Sequence, residues 1–330
     1  MPFCLRPALF ALLMGFSASV SAGEPLTAPR FTQENFTANK ASYAPRWLEK
    51  DFVNGWGVAI RPAGAGGHFW VTAKDVSYEY VGDVRQSPEE LLRNMHTDSL
   101  KMVKLPVGGD DKFATGVVFS DSTDNFVITQ TVPDAEPITA PAKFLFASDG
   151  GIVSAWTERK KDDGSFDRSG EALTVIDQSA SGAQFFGLAL SAAYDRLYVA
   201  DFGAVPALKV FDGKFQPAPI AFDQPFDTNK NGKVDAGEYA PFNIQLLSAN
   251  AGETDAARQP RLFVTYAKTQ KCPKAAQAEK ACAKNELWPG EEDTRKPGYG
   301  RVAEFTEDGK LVAIWPDAGK LSAPWGVAFA

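Results

Sequence analysis

The chain has 330 residues, a formal net charge of −7, and hydrophobic and aromatic contents of 44% and 12%. This composition is typical of a globular protein with a large core and excludes a chain that is disordered over most of its length. The acidic charge, together with the lack of a basic stripe, argues against nucleic acid as a partner.

The first 22 residues are predicted to be a signal peptide. Arg6 precedes an apolar run at 8–16, and Val20-Ser21-Ala22 places small residues at a cleavage site. The apolar run is too short to span a bilayer, and no later stretch has the length and hydropathy of a transmembrane segment. An N-terminal membrane anchor that stays uncleaved is the alternative. The sequence therefore predicts export to the periplasm or the extracellular space.

After a lead-in segment at 23–51, the chain consists of short β-branched and aromatic runs bounded by Gly, Pro, Asp or Asn, which is typical of strands. Five of these runs share an apolar pattern around a central Gly or Asn: 56–60, 115–119, 186–190, 242–246 and 325–329. A recurring set of short strands indicates a β-propeller. The copies are further apart than the ~40–50 residues of common propeller repeats. We therefore expect insertions, among them a short helix at 87–94, which starts Ser-Pro-Glu-Glu.

Several motifs in a distinctive order carry a resemblance to a known family. They are Asn-Gly-Trp-Gly-Val-Ala at 54–59, Lys-Phe-Leu-Phe-Ala-Ser-Asp-Gly at 143–150, Leu-Tyr-Val-Ala-Asp-Phe at 197–202, Tyr-Ala-Pro-Phe-Asn-Ile-Gln at 239–245 and Ala-Pro-Trp-Gly at 323–326. From residue 52 to residue 330 the chain resembles an uncharacterised family of exported bacterial proteins with NHL-like β-propeller repeats. Some members of that family carry a PEP-CTERM sorting tail. The resemblance implies an all-β, six-bladed propeller, and it implies no established activity.

The domain predicted at 52–330 contains about four complete blades and a truncated fifth. Members of the family that it resembles continue beyond the Ala-Pro-Trp-Gly motif, whereas this chain stops at residue 330. Unpaired terminal strands expose sheet edges and apolar faces. We therefore expect the sequence to be a fragment of a longer protein; a ring that closes with fewer blades is the alternative.

Residues 227–238 match the twelve-residue calcium loop of EF-hands. The predicted metal ligands are Asp227, Asn229, Asn231, the carbonyl of Lys233, Asp235 and Glu238. Gly232 stands where the loop must turn with positive φ, and Val234 stands where an apolar residue packs inward. The flanking residues are poor helix formers, so we expect a calcium loop inserted between strands. A plain Asn-Gly turn in a polar loop is the alternative.

Cys272 and Cys282 remain after removal of the signal peptide. In an exported protein such a close pair predicts a disulfide, here within an exposed excursion at 269–297. A zinc site is disfavoured because two thiols without a nearby histidine do not complete one.

The sequence contains no nucleophile elbow, phosphate loop or dinucleotide fingerprint. The two histidines, His68 and His96, are expected to be surface loop residues. Propellers bind ligands over the central channel, and the residues beside the repeated strands are the channel candidates: Asn54, Asp149, Asp201 and Asn243.

Two functions remain open from the sequence. The first is an exported calcium-binding propeller that binds a small molecule, a glycan or a protein on its channel face. The second is a metal-dependent hydrolase or lyase of the lactonase type, with a metal held over the channel by Asn, Asp and Glu. The second rests on fold analogy, and in both Asp201 and Asn243 could instead bond the backbone. We favour binding, because no acid–base pair stands out in the sequence.

Overall fold

The structure is a computed structural model that describes residues 35–61, 68–81, 93–94, 100–247 and 259–328. Nearly all regular structure in these residues is β-strand. The helices are α1 (Lys274–Ala278) and two single turns of 3₁₀ helix at Ala41–Tyr43 and Ser179–Ser181. The prediction of an all-β fold is confirmed.

The N-terminal part of the described chain forms a small parallel pair and a first sheet. The pair is β1 (Thr37–Ala38) and β2 (Trp47–Leu48), and sheet 1 contains β3 (Gly55–Ile60), β4 (His68–Ala73), β5 (Val76–Val81), β6 (Arg93–Asn94) and β7 (Met102–Lys104). Both β6 and β7 pair with β5. The helix predicted at 87–94 is therefore wrong at residues 93 and 94, which extend the sheet; residues 87–92 lie outside the described residues.

Sheet 2 has four antiparallel strands in the order β8-β11-β12-β15, with two hairpins beside it. The strands are β8 (Ala114–Phe119), β9 (Val127–Gln130), β10 (Ile138–Pro141), β11 (Phe144–Ser148), β12 (Ile152–Trp156), β13 (Glu158–Lys160), β14 (Phe166–Arg168) and β15 (Leu173–Asp177). The tight turn that Asp149-Gly150 predicts joins β11 to β12, and Gly151 adopts φ +75° in it.

Sheets 3 and 4 follow along the chain, and their neighbouring strands are again antiparallel. Sheet 3 contains β16 (Phe185–Leu190), β17 (Arg196–Asp201) and β18 (Ala207–Asp212). Sheet 4 contains β19 (Tyr239–Leu247), β20 (Arg261–Lys271), β21 (Leu287–Glu292), β22 (Gly300–Phe305) and β23 (Leu311–Trp315), and β21 pairs only with the far end of β20. Residues 213–238, between sheets 3 and 4, contain no strand.

Consecutive sheets pack face to face, because the side chains of each strand alternate between two apolar layers. In β17, Leu197 and Val199 contact sheet 2, while Tyr198 contacts sheet 4. Sheets 1 and 2 share a separate aromatic layer that includes Trp70, Phe146 and Trp156. The four sheets are therefore joined by three apolar layers.

The first strands of the four sheets lie side by side, and the central glycines of the repeat make this possible. A Cβ on Gly57 would lie 2.5 Å from the carbonyl oxygen of Thr115. A Cβ on Gly116 would lie 2.6 Å from the carbonyl oxygen of Phe186. Each of the first three copies thus needs a residue without a side chain where the first strand of the next sheet lies against it.

The fourth and fifth copies of the repeat differ from the first three. Asn243 takes the place of the glycine in the fourth copy, and its Nδ2 donates to the carbonyl of Trp325 at 2.8 Å. The described part of the fifth copy, 325–328, is not a strand. The backbone N–H of Val327 donates instead to Oε1 of Gln245, so the expectation of a fifth strand is wrong for these residues.

The lead-in segment covers the face of sheet 1 that points away from sheet 2. Phe36, Trp47 and Phe52 pack against the buried Tyr78 and Tyr80 of β5. Residues 35–52 are therefore an ordered part of the fold.

Candidate functional site

The segment 227–238 folds as a turn-rich loop whose conformation follows its sequence. Gly232 adopts φ +79° and Lys230 adopts φ +57°, both in the left-handed region. The N–H of Gly232 donates to Oδ2 of Asp227 at 2.8 Å, so the first residue of the loop accepts a hydrogen bond across its tightest turn. The positive φ predicted at Gly232 is confirmed.

Three polar side chains meet on the inner side of this loop. Nδ2 of Asn229 and Nδ2 of Asn231 each donate to Oδ2 of Asp235 at 2.7 Å. The N–H of Asn231 donates to Oδ1 of Asp227 at 3.3 Å. Hydrogen bonds from Asn229 and then from Asn231 lower the pKa of Asp235 below its usual range.

The last predicted ligand, Glu238, closes the loop onto its start. One oxygen of its carboxylate accepts hydrogen bonds from the N–H and the hydroxyl of Thr228, and the other accepts from the N–H of Asp235 at 3.0 Å. Lys233 donates its backbone N–H to Asn231, and its ammonium lies 3.7 Å from Oδ1 of Asp235. The predicted ligand residues are thus held together by bonds within the loop.

The donor set fits a hard cation, because it consists of carboxylate and amide oxygens. Among the described residues, however, no three His, Cys, Asp or Glu side chains are grouped closely enough to hold a metal ion. Two of the loop's ligand positions are asparagines, and the carboxylate of Glu238 is engaged with backbone N–H groups. Calcium binding would therefore require these side chains to exchange hydrogen bonds for metal contacts.

The loop is anchored to an aromatic cluster at one end of the first strands. Val234 packs against this cluster, as expected for the apolar position of the loop. The cluster consists of Trp56, Phe186, Phe202, Phe242 and Trp325. Its closest pair is Trp56 and Trp325, with ring centroids 4.8 Å apart. Order in the loop is thereby linked to packing at the centre of the molecule.

A cavity of about 930 Å³ opens beside the first strands. Its walls are mostly aliphatic, and Val58 and Ile60 of β3 are 62% and 72% exposed there. The polar side chains among its lining residues include Asn243, Gln245 and Tyr194, and none of the lining residues that the structure describes is charged. The described walls therefore offer shape and hydrogen bonds, and no carboxylate or imidazole.

The four channel candidates do not all reach this cavity. Asn243 lines it, whereas Asn54, Asp149 and Asp201 are absent from its lining. Asn54 is exposed in a turn with φ +55°, and Asp149 accepts from the N–H of Phe113 at 2.6 Å. Burial is the main cause that raises the pKa of Asp149.

Asp201 has local partners as well. Its side chain is 1% exposed, pairs with Nζ of Lys209 at 2.8 Å and accepts from the N–H groups of Gln184 and Gly203. Asp201 therefore holds together the ends of β16 and β17. These partners engage both oxygens of the Asp201 carboxylate, and Asp201 is not among the residues that line the cavity.

The predicted disulfide between Cys272 and Cys282 is confirmed, with Cα atoms 6.0 Å apart. The surrounding segment 269–297 is more regular than an exposed excursion, because β20 continues into it and β21 pairs back onto β20. Cys272 itself is buried. The bridge closes the turn between these strands, over α1.

A buried ionic cluster between sheets 1 and 2 was missed by the sequence analysis. His68, expected in a surface loop, opens β4, and its Nδ1 lies 2.6 Å from Oε1 of the buried Glu79. That expectation is wrong, because β4 carries the ring inward. Glu158 accepts from Arg61 at 2.5 Å and from Arg168 at 2.7 Å. His96 lies outside the described residues.

A second group missed from the sequence is a set of lysines around the disulfide. Lys268, Lys271 and Lys274 line one cavity together with Arg295. The three-residue spacing of Lys268, Lys271 and Lys274 is the sequence pattern from which this group could have been predicted. Within the described residues, no helix is long and apolar enough to cross a membrane.

No family model matches the chain, and no curated protein matches it. Among solved structures, a protein of unknown function from Bacteroides caccae is similar, at 14% sequence identity and a TM-score of 0.29. The alignment covers 83% of this chain and 85% of that chain. A likeness of this strength carries no argument about function.

Proposed function

We propose that this protein is an exported, calcium-binding β-propeller of the NHL-like type that binds another molecule rather than transforming one. The observation that carries the calcium part is the folded 227–238 loop, in which the carboxylates of Asp227, Asp235 and Glu238 each accept a hydrogen bond from another residue of the loop. Export rests on the features of residues 1–22 alone.

The charge of the loop favours weak calcium binding. Three carboxylates attract the ion, whereas Lys230 and Lys233 within the same loop oppose it. A loop of this charge, without flanking helices, belongs to the class with Kd on the order of 10⁻⁴ M, which suits extracellular calcium. Bound calcium would stabilise the loop and, through Val234, the aromatic cluster.

The propeller arrangement is supported by the way successive sheets follow one another. Each first strand crosses the next at the repeat position, and Nε1 of Trp325 in the fifth copy donates to the carbonyl of Trp56 in the first at 3.2 Å. The fifth copy thus contacts the first, as expected for sheets set around one axis.

Binding is favoured over hydrolysis by the chemistry of the cavity beside the first strands. General acid–base catalysis needs an ionisable side chain within hydrogen-bond reach of the substrate. The described lining residues supply none that is charged, and Asp201 is engaged by Lys209. A wall that combines aliphatic side chains with polar backbone, amide and hydroxyl groups is suited to holding a ligand.

The experiment is a calcium titration by isothermal calorimetry on the mature protein, on Glu238→Gln and on Glu136→Gln. Glu136 is exposed and far from the loop in sequence, so it controls for the loss of one negative charge. We expect calcium affinity to fall by at least about tenfold in Glu238→Gln, since the bidentate glutamate completes such sites, and to stay within about twofold in the control.

Calcium binding should also raise the free energy of unfolding, which can be measured with and without calcium. With Kd near 10⁻⁴ M, calcium at about one hundred times Kd should raise the free energy of unfolding of the wild type by ~2.7 kcal/mol. Glu238→Gln should lose most of that gain. Equal calcium binding by Glu238→Gln and wild type, or no calcium heat from the wild type, would refute the proposed calcium site.

A further inference from the structure

A second cavity, of about 520 Å³, lies where the calcium loop, the disulfide turn and β20 meet. Four cationic side chains and one carboxylate are among its lining residues: Lys268, Lys271, Lys274, Arg295 and Asp293. The whole chain is acidic, with a net charge of −7. A concave site with an excess of positive charge on such a protein concentrates anions locally.

The single carboxylate of this cavity is already neutralised. Asp293 is 5% exposed, and its two oxygens accept from Nε and Nη2 of Arg295 at 2.8 and 2.6 Å. This bidentate pair, with Arg295 the largest cause, holds the pKa of Asp293 below its usual range. Asp293 is therefore paired with Arg295 and also attracted by Lys268, and the lysines keep the cavity's net charge positive.

None of the three lysines has a carboxylate within 4.0 Å among the residues that the structure describes. The ammonium of Lys268 lies instead 4.2 Å from the centroid of the Tyr299 ring. This contact fixes the position of a half-buried cation beside the cavity without cancelling its charge. Lys271 and Lys274 are exposed at the other side of the same cavity.

The cavity wall is held by several independent bonds. The backbone N–H of Asp293 donates to the carbonyl of Lys268 at 2.7 Å, and the N–H of Thr269 donates to the carbonyl of Glu238 at 2.8 Å. The disulfide of Cys272 lies in the wall between Lys271 and Lys274. A wall supported in this way keeps its shape when a ligand binds, which lowers the entropic cost of binding.

We propose that this basic cavity is a binding site for an anionic ligand with at least two negatively charged oxygen groups, of the carboxylate or phosphate type. Lys268 and Lys271 supply the positive charge of the site. The Tyr299 ring packs against Lys268, and Nε2 of Gln270 donates to the carbonyl of Glu292 at 2.9 Å, so both residues support the wall. The cavity shares Gly237 with the calcium loop, but none of the predicted calcium ligands is among its lining residues.

Calorimetric titration with two probes tests this site: a galacturonic acid trisaccharide for the carboxylate source and inorganic pyrophosphate for the phosphate source. The buffer is calcium-free and contains no chelator, because chelators are themselves multivalent anions. A neutral galactose trisaccharide is the ligand control. Each titration is run at low ionic strength and again at about 0.15 M, where screening beyond about 8 Å weakens the attraction.

The proteins are the wild type, Lys268→Gln/Lys271→Gln, Lys214→Gln and Glu238→Gln. Lys214 is an exposed lysine in the turn after β18 and controls for charge. We expect the wild type and Lys214→Gln to bind at least one probe equally, and the double variant to bind it at least about tenfold more weakly, as the loss of charge-assisted contacts implies. Far-UV circular dichroism of each variant verifies that it is folded.

Glu238→Gln should keep the anion affinity, so failure of the calcium site and failure of this site are distinguishable. Three outcomes would overturn the proposal: no heat from either anionic probe, equal heat from the neutral sugar, or unchanged affinity in the folded double variant. Preference for the trisaccharide assigns the site to acidic glycans, and preference for pyrophosphate assigns it to phosphate groups.

Discussion

Glu79 shows how a single residue can make stability depend on pH. Its side chain is 1% exposed, one carboxylate oxygen contacts His68 at 2.6 Å, and the other has no hydrogen-bond partner among the residues that the structure describes. Burial is the largest cause that raises the pKa of Glu79 above its usual range, and the hydrogen bond from His68 opposes the shift.

The sign of the pH effect follows from this direction. A carboxyl whose pKa is higher in the folded than in the unfolded protein favours folding below the unfolded pKa, and that contribution is lost as the pH rises through the folded pKa. We expect urea unfolding between pH 4 and 6 to show a smaller decline in unfolding free energy for Glu79→Gln than for the wild type. Glu136→Gln, at an exposed site, serves as the control. Parallel curves for wild type and Glu79→Gln would contradict this assignment.

At the scale of elements, the close approach of the first strands of neighbouring sheets depends on glycine. The backbone of β8 at Gly116 approaches β16 so closely that a Cβ would lie 2.6 Å from the oxygen of Phe186 and 3.2 Å from the nitrogen of Leu188. Both neighbours are backbone atoms, which cannot rotate away as a flexible side chain does. Any substitution must therefore separate the two strands.

We expect Gly116→Ala to lower the free energy of unfolding by about 1–3 kcal/mol, the usual cost of overpacking. Gly170→Ala is the matched control, because a Cβ there would have nothing within 4 Å. Urea unfolding at pH 7 with a constant m-value gives the comparison. A Gly116→Ala protein as stable as Gly170→Ala would show that the strands separate at little cost.

At the scale of the whole molecule, the three apolar layers join the sheets into one unit. Phe146, which is 1% exposed, lies in the layer between sheets 1 and 2 with Trp70 and Trp156. The next layer begins on the opposite face of sheet 2 with Leu145 and Val153. Loss of one layer therefore exposes one face of sheet 2, whose other face packs in the next layer.

We expect Phe146→Ala to cost about 3–5 kcal/mol and to leave unfolding as a single transition. Its midpoints from far-UV circular dichroism and from tryptophan fluorescence should fall together, because both signals come from one cooperative unit. Phe146 is not itself a fluorophore, so the fluorescence signal is retained. Two separate transitions would show instead that sheets 1 and 2 unfold independently of sheets 3 and 4.

Features set by neighbours in the chain were predictable from sequence. The turn after Ser148, the positive φ of Gly232 and the Cys272–Cys282 bridge all follow from residues at most about a dozen positions apart. Backbone preference and short loop closure determine such contacts. The first four copies of the repeat likewise lie in first strands, because their alternation of apolar side chains is local.

Features set by distant segments were not predictable in this way. Arg61 meets Glu158 across 97 positions of sequence, and Nε1 of Trp325 donates to the carbonyl of Trp56 across 269 positions. Residues 93–94 pair with β5, although the start signal at residue 87 predicts that they end a short helix. Pairing partners supplied by the tertiary structure override a local preference worth a few tenths of a kcal/mol per residue.

The sequence by itself determined an all-β chain of repeated strands, a disulfide and a loop with the oxygen donors that calcium requires. Only the tertiary structure decided that Val234 ties this loop to the aromatic cluster, that residues 325–328 are not a strand, and that Lys268 and Arg295 share a cavity. The physical reason is the separation in sequence over which each kind of interaction acts. Turn geometry and alternation act between near neighbours, whereas burial and charge act between segments that only packing brings together.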